Sequence, residues 1–204
     1  MPKNNVPIDT TGLPQLDAAL TGILAGDNVV WNVDDVEQYR KIARPYAEAA
    51  KRDGRKLVYF RFARHARLVP DGFCEECRLD AAAGFEVFLH KIHEVVGAHG
   101  LGAYYLFDCL SDLATNWCSD AMLGNFFMLT CPYLYRLETV AYFGLLRGRH
   151  SRLAVEPVRA TTQLFLEVFG RGETLYLLPI KTEFRHSPTI HLMLEWDGAG
   201  RFSV

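Results

Sequence analysis

The sequence predicts an α/β fold of three layers, in which a mostly parallel sheet is covered by helices on both faces. Apolar, strand-like runs alternate with amphipathic, helix-like segments over most of the chain, which is typical of a parallel sheet. The C-terminal part instead carries short apolar runs separated by glycine-containing turns, which predicts antiparallel strands. The length of 204 residues, 50% of them hydrophobic, predicts one domain over residues 1–204.

The elements are predicted in a regular order. The first strand covers residues 27–31, and an amphipathic helix over residues 36–52 ends at Asp53-Gly54. The further predicted elements are a strand (56–62), a helix (81–98), a buried strand ending at Asp108 (103–108), a helix with a break near Pro132 (120–135), a strand (139–146), a short helix or turn (155–162) and four antiparallel strands (163–168, 174–181, 189–196 and 201–204).

Composition excludes several function classes. The net charge of -2 gives no general basic field, so nucleic-acid binding is not favoured, although residues 147–152 form a short basic loop. The five cysteines have no disulfide-like spacing and indicate reduced thiols. The polar N-terminus does not resemble a signal peptide, and the apolar stretch over residues 123–146 is interrupted by charge and proline. We expect a cytoplasmic protein without a membrane segment.

The junction between the first strand and the first long helix is acidic. A P-loop ATPase carries G-x-x-x-x-G-K-[ST] at such a junction, where glycine amides and a lysine hold the phosphates. Here the junction carries Asp34, Asp35 and Glu37, with no glycine, lysine or hydroxyl residue at the required places. Asp35 and Gln38 also fit a capping box. These residues disfavour ATP chemistry.

Four landmarks resemble the KaiC branch of the RecA-like ATPases, in the same order along the chain. They are residues 11–17 (TGLPQLD), 26–30 (GDNVV), 107–113 (FDCLSDL) and 181–187 (KTEFRHS). The resemblance implies a RecA-like α/β/α sandwich with a nucleotide site that would include Asn32, Asp34, Asp35, Asp108 and Ser111. Residues 59–65 and 122–127 are similar to an amino-terminal module that precedes pyruvate phosphate dikinase or phosphoenolpyruvate-synthase-type domains.

Departures from the family pattern predict a degenerate site. Active relatives carry acidic residues after the second strand, whereas this chain carries Arg61, Arg64 and His65 there, and arginine cannot act as a general base. Lys181 matches the late motif, but Glu183 replaces an arginine that reaches a neighbour's nucleotide. We therefore expect no cofactor, the alternative being ATP with Mg²⁺.

Three candidate sites have alternatives that the sequence leaves open. Asp108 is either a Mg²⁺ ligand or a cap for the turn that follows its strand. The basic group of Arg61, Arg64, His65 and Arg67 is an anion or partner site, a set of ion-pair partners for the acidic junction, or a solvated loop. A third set has spacing near that of a Cys2His2 zinc site, but a reduced cysteine pair is favoured there; it comprises Cys74, Cys77, His90 and His93.

The function expected from these observations is that of a non-hydrolysing, RecA/KaiC-like regulatory or scaffolding domain. The resemblance implies a homo-oligomer in which Lys181 and Arg185 meet the acidic junction of the next subunit. It also implies a phosphoenolpyruvate-synthase-like phosphotransferase as a separate partner or a fused domain. The alternative is a nucleotide-binding ATPase or phosphotransferase that uses Arg61, Arg64 and Lys181 in place of the P-loop.

Overall fold

The computed structural model describes residues 10–117, 119–172, 174–186, 190, 193–197 and 202–203. The strands are β1 (Asn28–Val33), β2 (Leu57–Arg61), β3 (Glu75–Arg78), β4 (Tyr104–Cys109), β5 (Val140–Leu146), β6 (Leu164–Arg171), β7 (Thr174–Thr182), β8 (Leu194–Trp196) and β9 (Phe202–Ser203). The helices are α1 (Pro14–Leu20), α2 (Val36–Arg52), α3 (Phe85–His99), α4 (Leu113–Asn116), α5 (Ala121–Arg136) and α6 (Arg152–Thr161).

Within the described residues, nine strands form one sheet in the order β3-β2-β4-β5-β1-β6-β7-β8-β9. Neighbours from β3 to β6 are parallel, and neighbours from β6 to β9 are antiparallel. The prediction of an α/β fold with a mostly parallel sheet and antiparallel C-terminal strands is confirmed. We call the side on which β1, β2, β4 and β5 end the carboxyl edge of the sheet, and the opposite side the amino edge.

Helices pack on both faces of this sheet. On the first face, α1 and α2 bury Leu16, Leu20 and Tyr46 against side chains such as Trp31 of β1. On the second face, α3, α5 and α6 contribute further buried side chains, including Phe88, Phe126 and Val158. The alternation of strand side chains between two faces places consecutive β1 residues in different core layers.

The helix α2 begins and ends where the sequence predicts. Its buried positions recur at helical spacing, from Tyr39 through Ile42 and Ala43 to Tyr46. The Asp35 carboxylate accepts a hydrogen bond from the Gln38 amide and caps the helix, as expected. The Gln38 side chain accepts from the amide of Asp34 rather than from that of Asp35, so the reciprocal half of the capping box is shifted by one residue.

Several predicted boundaries are wrong for identifiable reasons. The helix α5 is continuous through Pro132. This proline leaves the Met128 carbonyl without a helical hydrogen bond, but both residues lie on the exposed face of the helix, where water can bind that carbonyl. The helix predicted over residues 81–98 is interrupted at Gly84, which has a φ of 101° and separates a short 3₁₀ helix (Ala81–Ala83) from α3. The element expected over residues 155–162 begins earlier, at Arg152, as α6.

The C-terminal strands agree only in part with the prediction. The first of them, β6, runs parallel to β1 and antiparallel to β7, so its predicted antiparallel character is wrong on one side. The strands β8 and β9 are antiparallel, although residues 189, 191–192, 201 and 204 of the predicted ranges lie outside the described residues. The elements α1 and β3 were not expected from the sequence.

Residues 11–17, the first of the four sequence landmarks, comprise a turn and the first turn of α1. Both carboxylate oxygens of Asp17 accept hydrogen bonds, from the Thr10 hydroxyl and from the amide and hydroxyl of Thr11. Gly12 has a φ of 81°, and a Cβ at this position would lie 2.1 Å from the Pro45 carbonyl oxygen. The landmark therefore has a structural role in this chain, which is to seat the N-terminal segment on α2.

Candidate functional site

The β1–α2 junction lies at the centre of the carboxyl edge and contains only two residues, Asp34 and Asp35. A loop this short cannot wrap its amides around a phosphate chain, as a glycine-rich loop does. The Asp35 carboxylate also occupies the N-terminal position of α2, where a phosphate would sit. The junction is thus closed by its own side chains.

Asp34 binds across the sheet to the ends of two other strands. Its carboxylate forms an ion pair with Arg147, 2.6 Å away, and accepts a hydrogen bond of 2.9 Å from the Gly170 amide. Burial by itself raises the pKa of Asp34, but the Gly170 amide and Arg147 outweigh it and leave the pKa below its usual value. Asn32 is directed toward Glu167 of β6, at 3.4 Å. These contacts tie β1, β5 and β6 together.

Tyr39 fills the space beneath this junction. Its ring lies where a Cβ on Gly144 of β5 would be, at 2.5 Å from the nearest ring carbon. Its hydroxyl donates a hydrogen bond of 3.0 Å to the Phe107 carbonyl, at the point where the β4–β5 register shifts. A buried aromatic ring therefore lies between the acidic junction and the strand that carries Asp108.

The Asp108 carboxylate is fully buried and surrounded by donors. It accepts hydrogen bonds from the Tyr59 hydroxyl, the Arg61 guanidinium and the amides of Phe62 and Ala63, the two amides at 2.9 Å each. Arg61 is held in place by the carbonyls of Ala63 and His65. Both oxygens of Asp108 are thus engaged, and the positive charge of Arg61 lies where a cation would bind.

The ring of His65 completes the surroundings of Asp108. Its Nε2 accepts a hydrogen bond of 3.1 Å from the Cys109 amide, while its Nδ1 lies 2.7 Å from the Ala66 carbonyl oxygen. The same Nε2 lies 3.6 Å from a carboxylate oxygen of Asp108. His65 therefore orders the loop after β2.

The predicted pairing of the basic group with the acidic junction is wrong. β4 and β5 lie between β1 and β2, so the two loops are about three strand spacings, roughly 14 Å, apart. Asp34 and Glu37 instead bind Arg147 and Arg40. Arg67 binds Glu76 and Asp71.

Ser111 links the loops that follow β4 and β5. Its Oγ accepts a hydrogen bond of 2.8 Å from the Leu146 amide and lies 2.6 Å from Nε2 of His150. Burial lowers the pKa of His150 and keeps the ring neutral. Ser111 and Asp108 are thus close in sequence and share the carboxyl edge, but each is bound to a different neighbouring loop.

Lys181 and Arg185 lie at the amino edge, on the far side of the sheet from the acidic junction. The Lys181 ammonium donates to the carbonyls of Arg159 and Ala160 and pairs with Glu183. The Arg185 side chain is buried, pairs with Asp27 and donates to the Gly22 carbonyl. Within one chain neither residue reaches the junction, and Arg185 has internal partners in place of the expected intersubunit contact.

The zinc arrangement does not form. Cys74 packs against the first-face core and Cys77 against the second-face core, so the two thiols lie on opposite sides of the sheet. Burial raises the pKa of Cys74 to about 11, which disfavours the thiolate that zinc requires. His93 packs on Tyr133 of α5. Among the described residues, no group of three or more potential ligands is close enough to hold a metal ion.

Two residues with buried polar contacts were not singled out from the sequence. Tyr59 lies inside an apolar strand and gave no signal of its polar contact with Asp108. Asp27 precedes β1, and burial raises its pKa while Arg185 partly offsets the effect. The sequence shows that Asp27 lies at the start of a strand. It does not show that Arg185, which lies far along the chain, is its partner.

No protein-family model matches the chain, and no curated protein matches it. Among the residues described here, no helix has the length and apolar character needed to cross a bilayer.

Proposed function

We propose that this chain is a RecA/KaiC-like domain that has lost ATPase chemistry and acts by binding, as a homo-oligomer or with a protein partner. Support comes from the position of β1 within the parallel sheet, directly before a long helix, and from β4, which carries Asp108 to the same edge. The antiparallel strands after β6 fit the C-terminal part that the resemblance implies. We place this function in the cytoplasm.

The observation that carries the proposal is the engagement of Asp108. A Mg²⁺ ion needs free carboxylate oxygens and room for its waters. At Asp108 a guanidinium, a phenol and two amides already occupy the carboxylate, and the side chain is fully buried. The proposed domain thus combines a junction without a phosphate loop with a carboxylate that has no free oxygen for a metal ion.

The alternative, a nucleotide-dependent enzyme with a substitute for the P-loop, has little support in the geometry. It requires Arg61, Arg64 and Lys181 to converge on one phosphate chain. Arg61 is committed to Asp108, and Lys181 lies at the amino edge. Asp34 and Asp35 would also repel phosphates at the junction.

The partner of this domain is a second copy of the chain or a phosphoenolpyruvate-synthase-like phosphotransferase. Lys181 keeps about a quarter of its side chain exposed (24%), whereas Arg185 of the same motif is buried. In an oligomer it would meet the acidic junction of the next copy. A domain that has the fold of an ATPase but does not hydrolyse ATP could regulate or localise a phosphotransferase.

Calorimetry with ATP, ADP and Mg²⁺ on the wild type and on Asp108→Ala tests the loss of nucleotide binding. No heat at millimolar nucleotide supports the proposal. Micromolar nucleotide binding by the wild type overturns it in favour of the enzyme, and loss of that binding in an Asp108→Ala variant that is still folded would assign the nucleotide to the Asp108 site.

Solution mass tests the oligomer. We expect Lys181→Glu to weaken self-association, while the control Lys91→Glu, an exposed charge reversal on α3, leaves it unchanged. A wild type that stays monomeric at all concentrations contradicts the homo-oligomer and leaves the partner protein as the binding target.

A further inference from the structure

A crevice opens at the carboxyl edge, between the ends of β2, β3 and β4. The chain leaving β2 turns to the first face, where Leu68 and Val69 enter the core. The chains leaving β3 and β4 turn to the second face, through Phe88 and Leu110. Where connections from neighbouring strands diverge in this way, α/β sheets hold their ligands.

This crevice contains a cavity of about 330 Å³. Phe62, Ala63 and Arg64 form one wall, and residues 79–82 form the other, with Asp112 at the end. Such a volume lies at the lower end of the range for small-molecule sites. It fits a compact metabolite better than a nucleotide.

The walls of the cavity are fixed by hydrogen bonds. The amides of Phe62 and Ala63 donate to Asp108, and the Arg64 amide donates to Asp112 at 3.3 Å. On the opposite wall, the Leu79 amide donates to the Arg61 carbonyl at 2.9 Å. The residues that close the former metal position thus build a preformed cavity beside it.

The cavity carries charges of both signs. The Arg64 side chain is exposed, and its guanidinium contacts no acidic group in the part of the chain that the structure describes. Asp80 and Asp112 supply two carboxylates, of which Asp80 accepts a hydrogen bond from the Ala82 amide and Asp112 one from the Arg64 amide. The net charge of the lining is negative, which disfavours polyanions such as nucleotides.

We propose that this cavity binds a small zwitterion of the free amino-acid class. The ligand's carboxylate pairs with Arg64, its ammonium group lies between Asp80 and Asp112, and its carbon chain contacts Phe62 and Leu79. An arginine fork matches a carboxylate in two parallel hydrogen bonds. This site is separate from the proposed oligomer contact and does not depend on it.

The experiment measures thermal stability and calorimetric binding of the full chain with each of the twenty standard amino acids. Acetate and methylamine serve as probes that carry one charge each. We expect at least one amino acid to raise the melting temperature with saturation, and neither single-charge probe to do so. A flat response to all twenty amino acids overturns the proposal, as does an equal response to acetate alone.

Variants locate the binding to this cavity. Arg64→Ala should weaken the affinity by about ten- to hundredfold, because a hydrogen-bonded charge contributes on this scale, and Arg64→Lys should restore part of the loss. The matched control, Arg149→Ala, changes an exposed arginine at the same edge that does not line the cavity and should bind as the wild type does. Undiminished binding in Arg64→Ala overturns the proposal.

Discussion

Replacement of Asp108 by asparagine distinguishes a structural carboxylate from a surviving metal ligand. An aspartate kept free for a metal ion has no buried partner that depends on its charge, so its replacement should change the stability little. Here the carboxylate balances Arg61, whose side chain is only 17% exposed, and accepts from four groups. Asparagine keeps the size but removes the charge, and its NH₂ group faces donors rather than acceptors.

The expected cost follows from the burial of this pair. Breaking a buried ion pair by removing one partner costs about 3–5 kcal/mol, because the remaining charge is left uncompensated. Typical domains unfold at a free energy of about 5–15 kcal/mol, so Asp108→Asn removes a large part of the stability. With a denaturant slope of about 3 kcal/mol/M, the urea midpoint falls by about 1–2 M.

A double-mutant cycle with Arg61→Leu, followed by circular dichroism in urea, separates the pair from the single residues. We expect the double variant to lose less than the sum of the two single losses, with a coupling of about 0.5–3 kcal/mol. Glu48→Gln serves as control, since its exposed pair with Arg44 contributes below about 0.5 kcal/mol. An Asp108→Asn variant that unfolds at the wild-type urea concentration refutes the structural role.

Three further changes follow from the same structure. Arg185→Ala should cost about 3–5 kcal/mol in urea denaturation, because it leaves its carboxylate partner buried and unpaired; a loss below about 1 kcal/mol contradicts this. The lowered pKa of Asp34 means that its pair with Arg147 stabilises above the unfolded-state pKa, near 3.9, and loses this effect as the pH falls through the folded-state pKa. Arg147→Ala should therefore cost up to about 1 kcal/mol at pH 7 and almost nothing once the pH is below the folded-state pKa, and a constant difference would contradict the pairing. Gly144→Ala should cost about 1–3 kcal/mol in thermal unfolding, because its Cβ meets the Tyr39 ring, and a neutral result would show that the ring gives way easily.

Local patterns in the sequence were sufficient to predict elements that are defined by their own residues. The helix α2 has apolar residues at helical spacing, a capping aspartate and a terminal Asp53-Gly54, and its predicted bounds are confirmed. The strand β4 is a continuous apolar run, as expected for a strand buried on both faces. By contrast, β3 consists of Glu75–Arg78 at the sheet edge and has no apolar alternation, so nothing in its sequence indicated a strand.

Site geometry depended on strand order, which the sequence does not encode locally. The loops after β1 and β2 follow one another along the chain, which suggested that their opposite charges meet. In the sheet, β4 and β5 lie between these two strands, so Arg61 pairs with Asp108 and Asp34 pairs with Arg147. The zinc hypothesis failed for a simpler reason, since a spacing of three along an extended chain places Cys74 and Cys77 on opposite faces.

The positions of Lys181 and the acidic junction at opposite edges of the sheet restrict the symmetry of any assembly that joins them. The strand β1 has six residues and spans about 20 Å, so the two surfaces face away from each other. A contact between them joins two different patches and cannot lie on a two-fold axis. Each added copy leaves one patch of each kind unoccupied, so growth ends only when the rotation per copy closes a ring; otherwise a helical filament forms.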